Sequence, residues 1–394
     1  MKLLQSKTYA SLSVLLGIGL VSGCSSLPTE TNHYPVMTAL QPSSDALIVP
    51  VIIDGKRYHF LLDTGASVTF IDPDVARQIT KQVSLDTFPP ILRRDFGNIT
   101  GVSGAVEPNR FSFFEPVEMS IGDKVIHDHD LWIGFEFDVI TEGNGIQIDG
   151  ILGADTFRKL TWLKDNRSNQ LFAYDYALNA AEFQQCVGYS DTYNRAPWLV
   201  MNYEDVDVTV MTDTGATDSR FGEDFIQLLE QETKSIYQNP EPQLSYDANG
   251  FKEEHSYIVK DLYFEGMPLG EIEVSANISQ YAVGMDFFSR FDRFAFMPNK
   301  LMFCYDASSI EETWQQPERL IYVRFSNEQL EIFYNPEERL SQYGLQNGDV
   351  VLEANGKHYK PIEIRQLGDL LRTVPKGELT MKVRRNGKEL TIKI

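Results

Sequence analysis

The chain has 394 residues, of which 42% are hydrophobic, and it carries a formal net charge of -21 at pH 7. This length and apolar content predict several domains with separate cores. The excess of acidic residues excludes nucleic acid as a partner, because attraction to phosphate dominates that kind of binding and a negative surface opposes it.

The first residues are typical of a secretory leader. Lys2 and Lys7 precede an apolar run from Leu12 to Val21, which is too short to cross a bilayer as a permanent helix. The run ends at Val-Ser-Gly-Cys24, which resembles the lipobox at which bacteria attach a lipid to a cysteine and cleave the chain before it. The resemblance implies a lipoprotein signal peptide over residues 1–23 with lipidation at Cys24, although a cysteine after an apolar run can also arise by chance.

The resemblance to a lipobox implies a protein of the bacterial cell envelope, held to the membrane by a lipid on Cys24. Ser25 follows the lipidated position, which by the habit of such proteins favours the outer membrane, facing the periplasm. Residues 24–44 are rich in Ser, Pro, Thr and Asn, and this composition predicts a tether between the lipid and the first folded domain.

The string Asp-Thr-Gly-Ala occurs twice, and its surroundings repeat with it. Residues 48–67 align without a gap on residues 198–217, and a later block, 153–175, aligns on 284–306 at a shorter offset. Two blocks in the same order with one internal length change indicate a duplicated domain. Each copy has short apolar strands separated by turn residues, so we predict mainly β lobes over residues 45–183 and 184–310.

The two remaining cysteines, Cys186 and Cys304, leave two alternatives open. An oxidising periplasm would permit them to form a disulfide. They could equally be two separate buried thiols, because free cysteine is among the most buried residue types.

Residues 315–394 differ in composition from the rest of the chain, since Lys and Arg slightly exceed Asp and Glu there. The segment GLQNGDVVLEANGK, a helical stretch near residues 364–373 and two terminal β-patterned runs resemble a PDZ domain of the bacterial kind. The resemblance implies an α+β module that has a possible protein ligand and a docking or regulatory role.

The repeated motif carries the chemistry. In each copy an apolar strand delivers an aspartate, Asp63 or Asp213, into a turn in which a glycine allows close backbone approach. An apolar-apolar-Gly element, residues 151–153 and 282–284, follows later in each copy. These features resemble the pepsin and retropepsin families of aspartic proteases, and they imply a two-lobed acid-protease fold in which each lobe contributes one catalytic aspartate. A single Asp in such a turn can also serve only local hydrogen bonds.

A pair of carboxyl groups at hydrogen-bonding distance retains one proton, because two adjacent negative charges cannot both persist. One member can then activate a water as base while the other donates its proton to a peptide carbonyl. By resemblance, Thr64 and Thr214 would bind across to the opposite loop, and Gly65 and Gly215 would offer N–H groups to the carboxylates. This chemistry requires no cofactor and no metal.

The residue after each Asp-Thr-Gly is alanine, Ala66 or Ala216, where pepsin-like enzymes can carry a hydroxyl that donates to the carboxylate. Alanine cannot donate, so we expect a raised dyad pKa and activity that extends to near-neutral pH.

Two hairpins are candidates for flaps over the substrate. Gly101 and Gly104 lie in the hairpin region of the first copy, and Asn249 and Gly250 lie in that of the second. Ordinary hairpin turns are the alternative. The run His127-Asp128-His129-Asp130 could suggest a metal site, but a solvated strand face is the preferred interpretation.

The sequence therefore favours an envelope-anchored aspartic endopeptidase that acts on peptide or unfolded protein substrates. The alternative is a non-catalytic scaffold lipoprotein that uses the same cleft and the PDZ-like module to hold partners.

Overall fold

The strands of this protein follow from alternating apolar residues, and the prediction of a mainly β protein is confirmed. Residues 35–394 form one compact unit. The structure is a computed structural model, and it describes residues 34–43, 46–87, 100–101, 104–105, 110–193, 195–232, 235–247, 250–277, 280–333 and 335–394.

The first half is built around a hairpin in which β2 and β3 pair directly. Its turn is Asp54-Gly55, and both residues have positive φ, as a two-residue hairpin turn requires. The strands are β1 (Met37–Leu40), β2 (Ile48–Ile53), β3 (Lys56–Leu62), β4 (Phe70–Ile71), β5 (Gln82–Val83), β6 (Thr100–Gly101), β7 (Gly104–Ala105), β8 (Ser112–Phe114), β9 (Met119–Ile121), β10 (Lys124–Ile126), β11 (Trp132–Gly134), β12 (Gly150–Leu152), β13 (Thr161–Asp165), β14 (Gln170–Tyr174) and β15 (Gln185–Gly188). The helices are α1 (Pro73–Ile79), α2 (Asp138–Asn144) and α3 (Ala154–Phe157).

The second half repeats this plan, beginning with the β16–β17 hairpin. The strands are β16 (Trp198–Tyr203), β17 (Val206–Thr212), β18 (Ser219–Gly222), β19 (Ile236–Gln238), β20 (Gln243–Asp247), β21 (Gly250–Glu254), β22 (Ser256–Val259), β23 (Leu262–Phe264), β24 (Met267–Pro268), β25 (Ile272–Asn277), β26 (Ala282–Val283), β27 (Arg293–Met297) and β28 (Met302–Asp306). The helices are α4 (Glu223–Glu232) and α5 (Met285–Phe288).

The two halves have the same strand order. One nine-stranded sheet runs β10-β9-β2-β3-β12-β4-β11-β8-β5, and the other runs β24-β23-β16-β17-β26-β18-β25-β22-β19. Each strand therefore has its counterpart at the same place in the other sheet. The duplication in the sequence is thus also a duplication of topology, apart from insertions such as α2, which lies in the long β11–β12 connection.

A six-stranded sheet joins the halves, with the order β1-β14-β13-β27-β28-β15. Its centre is an antiparallel pair made of one strand from each half, β13 and β27. One hydrophobic core runs through both halves, and it includes Phe60, Trp162 and Phe296. At one edge of this sheet Cys186 and Cys304 face each other on paired strands and form a disulfide. The structure thus selects the disulfide over two separate thiols.

Strand β1 lies inside the segment predicted to be a tether, residues 24–44. In the structure it pairs with β14 as an edge strand, and its Met37 side chain is buried in the common core. Residues 37–40 are therefore part of the folded chain, because one buried apolar side chain and a row of main-chain hydrogen bonds hold them to the sheet.

The C-terminal module has a hydrophobic core of its own, which includes Leu330, Leu367 and Val383. Its five strands are antiparallel and run in sequence order, and two helices cover them. The strands are β29 (Val323–Ser326), β30 (Gln329–Ile332), β31 (Val350–Ala354), β32 (Thr380–Arg385) and β33 (Lys388–Lys393). The helices are α6 (Glu337–Ser341) and α7 (Ile364–Thr373), the second of which has the bounds predicted from the sequence.

Candidate active site

Asp63 stands at the end of β3, where the strand runs out into a turn. Alternate residues of β3, Tyr58, Phe60 and Leu62, point into the core and fix the strand, while Leu61 points to a second apolar cluster on the other face. The main-chain N–H of Asp63 donates to the carbonyl of Leu152 on β12, at 3.1 Å. The apolar-apolar-Gly element of the first half therefore supports the aspartate loop from beneath.

The Asp213 loop repeats this arrangement at the end of β17. The main-chain N–H of Asp213 donates to the carbonyl of Val283 on β26, at 2.9 Å. Val208 and Val210 point into the core and Met211 points to the other face. The structure thus places both aspartates at equivalent positions of the two halves.

Thr64 and Thr214 bind the two loops to each other. Each N–H donates to the hydroxyl of the opposite threonine, at 3.1 Å in both directions. The Thr64 hydroxyl donates to the carbonyl of Thr212 at 2.8 Å, and the Thr214 hydroxyl donates to the carbonyl of Leu62 at 2.7 Å. Both side chains are buried, so these bonds are shielded from water and hold the loops in register.

Gly65 and Gly215 let the two carboxyl groups approach. A Cβ at Gly65 would lie 2.9 Å from Cγ of Asp213, and one at Gly215 would lie 2.4 Å from Cγ of Asp63. Both distances are too short for any side chain. Gly65 also donates its N–H to Oδ1 of Asp63 at 2.7 Å, and Ala66 donates to the same oxygen at 3.1 Å.

The two carboxyl groups share a hydrogen bond, and the pKa of Asp63 is raised to about 8. Burial is the largest cause, and the negative charge of Asp213 is the second. The expected effect of Ala66 and Ala216, a dyad pKa raised relative to a site with a hydroxyl at that position, stays a prediction.

Arg220 is a residue of this site that sequence reasoning did not identify. It lies on β18, and its Nη2 donates to Oδ2 of Asp213 in an ion pair whose two side chains are only 8% and 10% exposed. The repeated sequence contains a signal for this residue, because Arg220 aligns with the apolar Phe70 of the first copy. A charge in an otherwise apolar strand is unusual unless it has a partner.

Both flap candidates lie in hairpins. Gly101 pairs with Gly104 between β6 and β7, and Gly250 begins β21, which pairs with β20. Asn249 lies outside the described residues. The flap assignment of these hairpins stays a prediction.

The C-terminal module contacts both halves, and its contact with the second half lies close to the Asp213 loop. Arg365 on α7 donates to the hydroxyl of Thr217, at 3.2 Å, and Thr217 closely follows Asp213. Arg324 on β29 lies 3.5 Å from Glu142 of α2. Gly145, at the end of α2, is packed so tightly that a Cβ there would lie 1.8 Å from the carbonyl oxygen of Pro361.

The other sequence candidates do not join this site. Asp128 is buried and accepts hydrogen bonds from Thr69, Thr156 and the Trp132 indole, so it stabilises the first half internally. The described residues contain no group of side chains suited to hold a metal ion, and no helix among them is long and apolar enough to span a bilayer. Cys24 and the leader lie outside the described residues.

Comparison with known proteins agrees with the geometry of the first half. No curated protein matches the chain significantly. The model of one family, described as aspartyl protease, matches residues 49–156. This stretch contains Asp63, its loop and the supporting Leu152, but it does not reach Asp213. Residues 49–156 are therefore an aspartyl protease domain.

Proposed function

We propose that the protein is an aspartic endopeptidase in which Asp63 and Asp213 form one catalytic dyad within a single chain. The observation that carries the proposal is the pair of Asp-Thr-Gly loops, joined by reciprocal threonine hydrogen bonds, with their carboxyl groups in contact. The match to the aspartyl protease family supports it for the first half, and the equal strand order supports extending it to the second.

The chemistry follows from a dyad that holds one proton. The ionised carboxylate takes a proton from a water molecule, which attacks the peptide carbonyl carbon, and the protonated carboxyl group donates to the carbonyl oxygen. Because both carboxyl groups are held by short loops on rigid strands, this geometry exists before substrate arrives, and little reorganisation is needed during reaction. The residues involved need no cofactor for these steps.

We also propose where the protein resides in the cell and how its domains are arranged. The two halves would be the lobes of an acid-protease fold, and residues 315–394 would be a PDZ-like module that docks beside the cleft. Residues 1–23 would be removed as a lipoprotein signal peptide, and the lipid on Cys24 would hold the enzyme to the outer membrane facing the periplasm. Changing Cys24 to Ser should release the protein from the membrane fraction or leave its leader uncleaved, and unchanged attachment would contradict lipidation.

A peptide library tests the activity. The soluble chain that begins at residue 25 retains the whole compact unit and should cleave internal peptide bonds of extended peptides. The matched variants Asp63→Asn and Asp213→Asn should each lose about 10²-fold or more in kcat/KM, the typical contribution of a general acid or base. If the wild-type chain cleaves nothing across the pH range in which it remains folded, the scaffold alternative is favoured.

A further inference from the structure

The two halves differ at one position that touches the dyad. In the first half Phe70 on β4 stands opposite Ile151 on β12 and packs against an apolar cluster. In the second half the same places are taken by Arg220 and Ala282. Phe and Ile of the first half are thus exchanged for Arg and Ala at paired positions, and the Arg220 guanidinium binds Asp213.

The guanidinium group of Arg220 brings a permanent positive charge to one carboxylate. Its Nη2 binds Oδ2 of Asp213, and among the described residues its buried Nε has no hydrogen-bond partner. Arginine does not lose its proton in proteins. A buried pair of opposite charges favours the ionised form of the acid, so Asp213 is the member of the dyad that stays charged.

Asp63 has a different environment. Its contacts are the two backbone N–H donors of Gly65 and Ala66 and the carboxyl group of Asp213. The two N–H donors favour the ionised form of Asp63, but burial and the negative charge of Asp213 are larger effects and oppose a second negative charge there. The single proton of the dyad therefore belongs on Asp63.

Other ionisable groups lie on the elements packed around β18, and they must be separated from the dyad in any titration. Ser219 donates to Asp286, whose pKa burial raises to about 7. Arg290 lowers that pKa and Asp218 raises it. The further groups on these elements are Glu223, Asp224 with its partner Tyr281, and Glu273. On the Asp63 side, the main-chain N–H of His59 on β3 donates to the carboxylate of Asp149. On the Asp213 side, Arg365 of the C-terminal module donates to the hydroxyl of Thr217.

We propose that Arg220 is a positioning residue that makes the dyad asymmetric, with Asp213 as the base and Asp63 as the acid. This inference rests on the proposed function. Asp213 takes a proton from water, and the new oxygen bonds to the peptide carbon while the Asp63 proton passes to the carbonyl oxygen. In the next step the C–N bond breaks, Asp213 gives its proton to the leaving nitrogen, and Asp63 recovers a proton from one hydroxyl of the intermediate. The dyad returns to its starting state.

Thermal unfolding at pH 7 tests the assignment without any need for activity. Asp213→Asn leaves the buried guanidinium without its counter-charge and should lower the melting temperature. Asp63→Asn replaces a neutral carboxyl group by a neutral amide and should leave the melting temperature unchanged or raise it. Adding Arg220→Met to Asp213→Asn should recover most of the loss. Equal changes in the two Asn variants, or no recovery in the double variant, would overturn the assignment.

The pH profile of kcat/KM tests the effect on catalysis. The acid limb reports the step in which the dyad gains its second proton, so loss of the positive charge in Arg220→Met should move this limb to higher pH, by about one to three pH units. Arg220→Lys retains the charge and should keep the limb near its wild-type position. Asp286→Asn, the control for the other buried acid, should not reproduce the shift. An acid limb that stays in place in Arg220→Met would refute the role, whereas absence of cleavage in the wild type would refute the proposed function and leave the unfolding test decisive for Arg220.

Discussion

Replacing Thr64 by Val tests whether the threonine bonds hold the two loops together. Valine has nearly the same shape but no hydroxyl, so the change removes the bond donated to the Thr212 carbonyl and the bonds accepted from the Thr214 N–H and the Thr212 hydroxyl. The Thr212 carbonyl and the Thr214 N–H would be left buried without that partner, at a cost of about 1–3 kcal/mol each. We therefore expect the free energy of unfolding to fall by about 2–6 kcal/mol.

The same change should also affect catalysis, because the carboxyl groups lose the support that aligns them. A misplacement of the order of 1 Å can cost about 10²-fold in rate. Urea unfolding and kcat/KM would be measured together, with Thr209→Val as the matched control, since Thr209 is an exposed residue of β17. If Thr64→Val unfolds like the control and retains full activity, the threonine bonds do not hold the site.

Three further predictions follow from single contacts. Activity should extend through neutral pH and fall as the pH rises past about 8, where Asp63 loses its proton. Because the pKa of Asp63 in the folded protein lies above the ordinary value of 3.8, stability should also decline as the pH rises between these values. Asp63→Asn should flatten that decline in unfolding measured across pH. Cys304→Ser should lower the free energy of unfolding by about 2–5 kcal/mol, and adding reductant to the wild type should do the same, since the disulfide closes a long loop. Gly145→Ala should loosen the C-terminal module and increase its cleavage in limited proteolysis. The control variant Gly266→Ala should not, because Gly266 has a similar positive φ but no neighbour within 4 Å of an added Cβ.

The fold could be predicted where the sequence repeats itself. The alignment of residues 48–67 on 198–217 predicts two equivalent β-patterned segments, and the structure contains them as the hairpins β2–β3 and β16–β17. The helix near residues 364–373 was visible from its apolar spacing and is present. These features depend on local pattern, which a single sequence carries.

The features that escaped prediction depend on contacts between distant residues. Strand β1 owes its place to β14 rather than to its own composition. The disulfide depends on the pairing of β15 with β28, which lie far apart in the sequence. The docking of the C-terminal module depends on a glycine, Gly145, whose close approach to Pro361 has no signature in the sequence.

The residues of the candidate site were likewise predicted only in part. The repeat predicts that Asp63 and Asp213 are equivalent, and this equivalence does not extend to the residues around them. The two copies differ where Arg220 aligns with Phe70. The meaning of this difference required knowing that β18 brings the Arg220 side chain to Asp213.

Mixing two inactive variants tests most directly the central claim that one chain supplies both aspartates. Asp63→Asn and Asp213→Asn would be combined in equal amounts, and cleavage of a peptide that the wild type cuts would be compared with that by each variant alone. A dyad formed within one chain predicts that the mixture stays as inactive as its components. Recovery of activity on mixing would mean that the two aspartates of a working site come from different chains, and it would contradict the account.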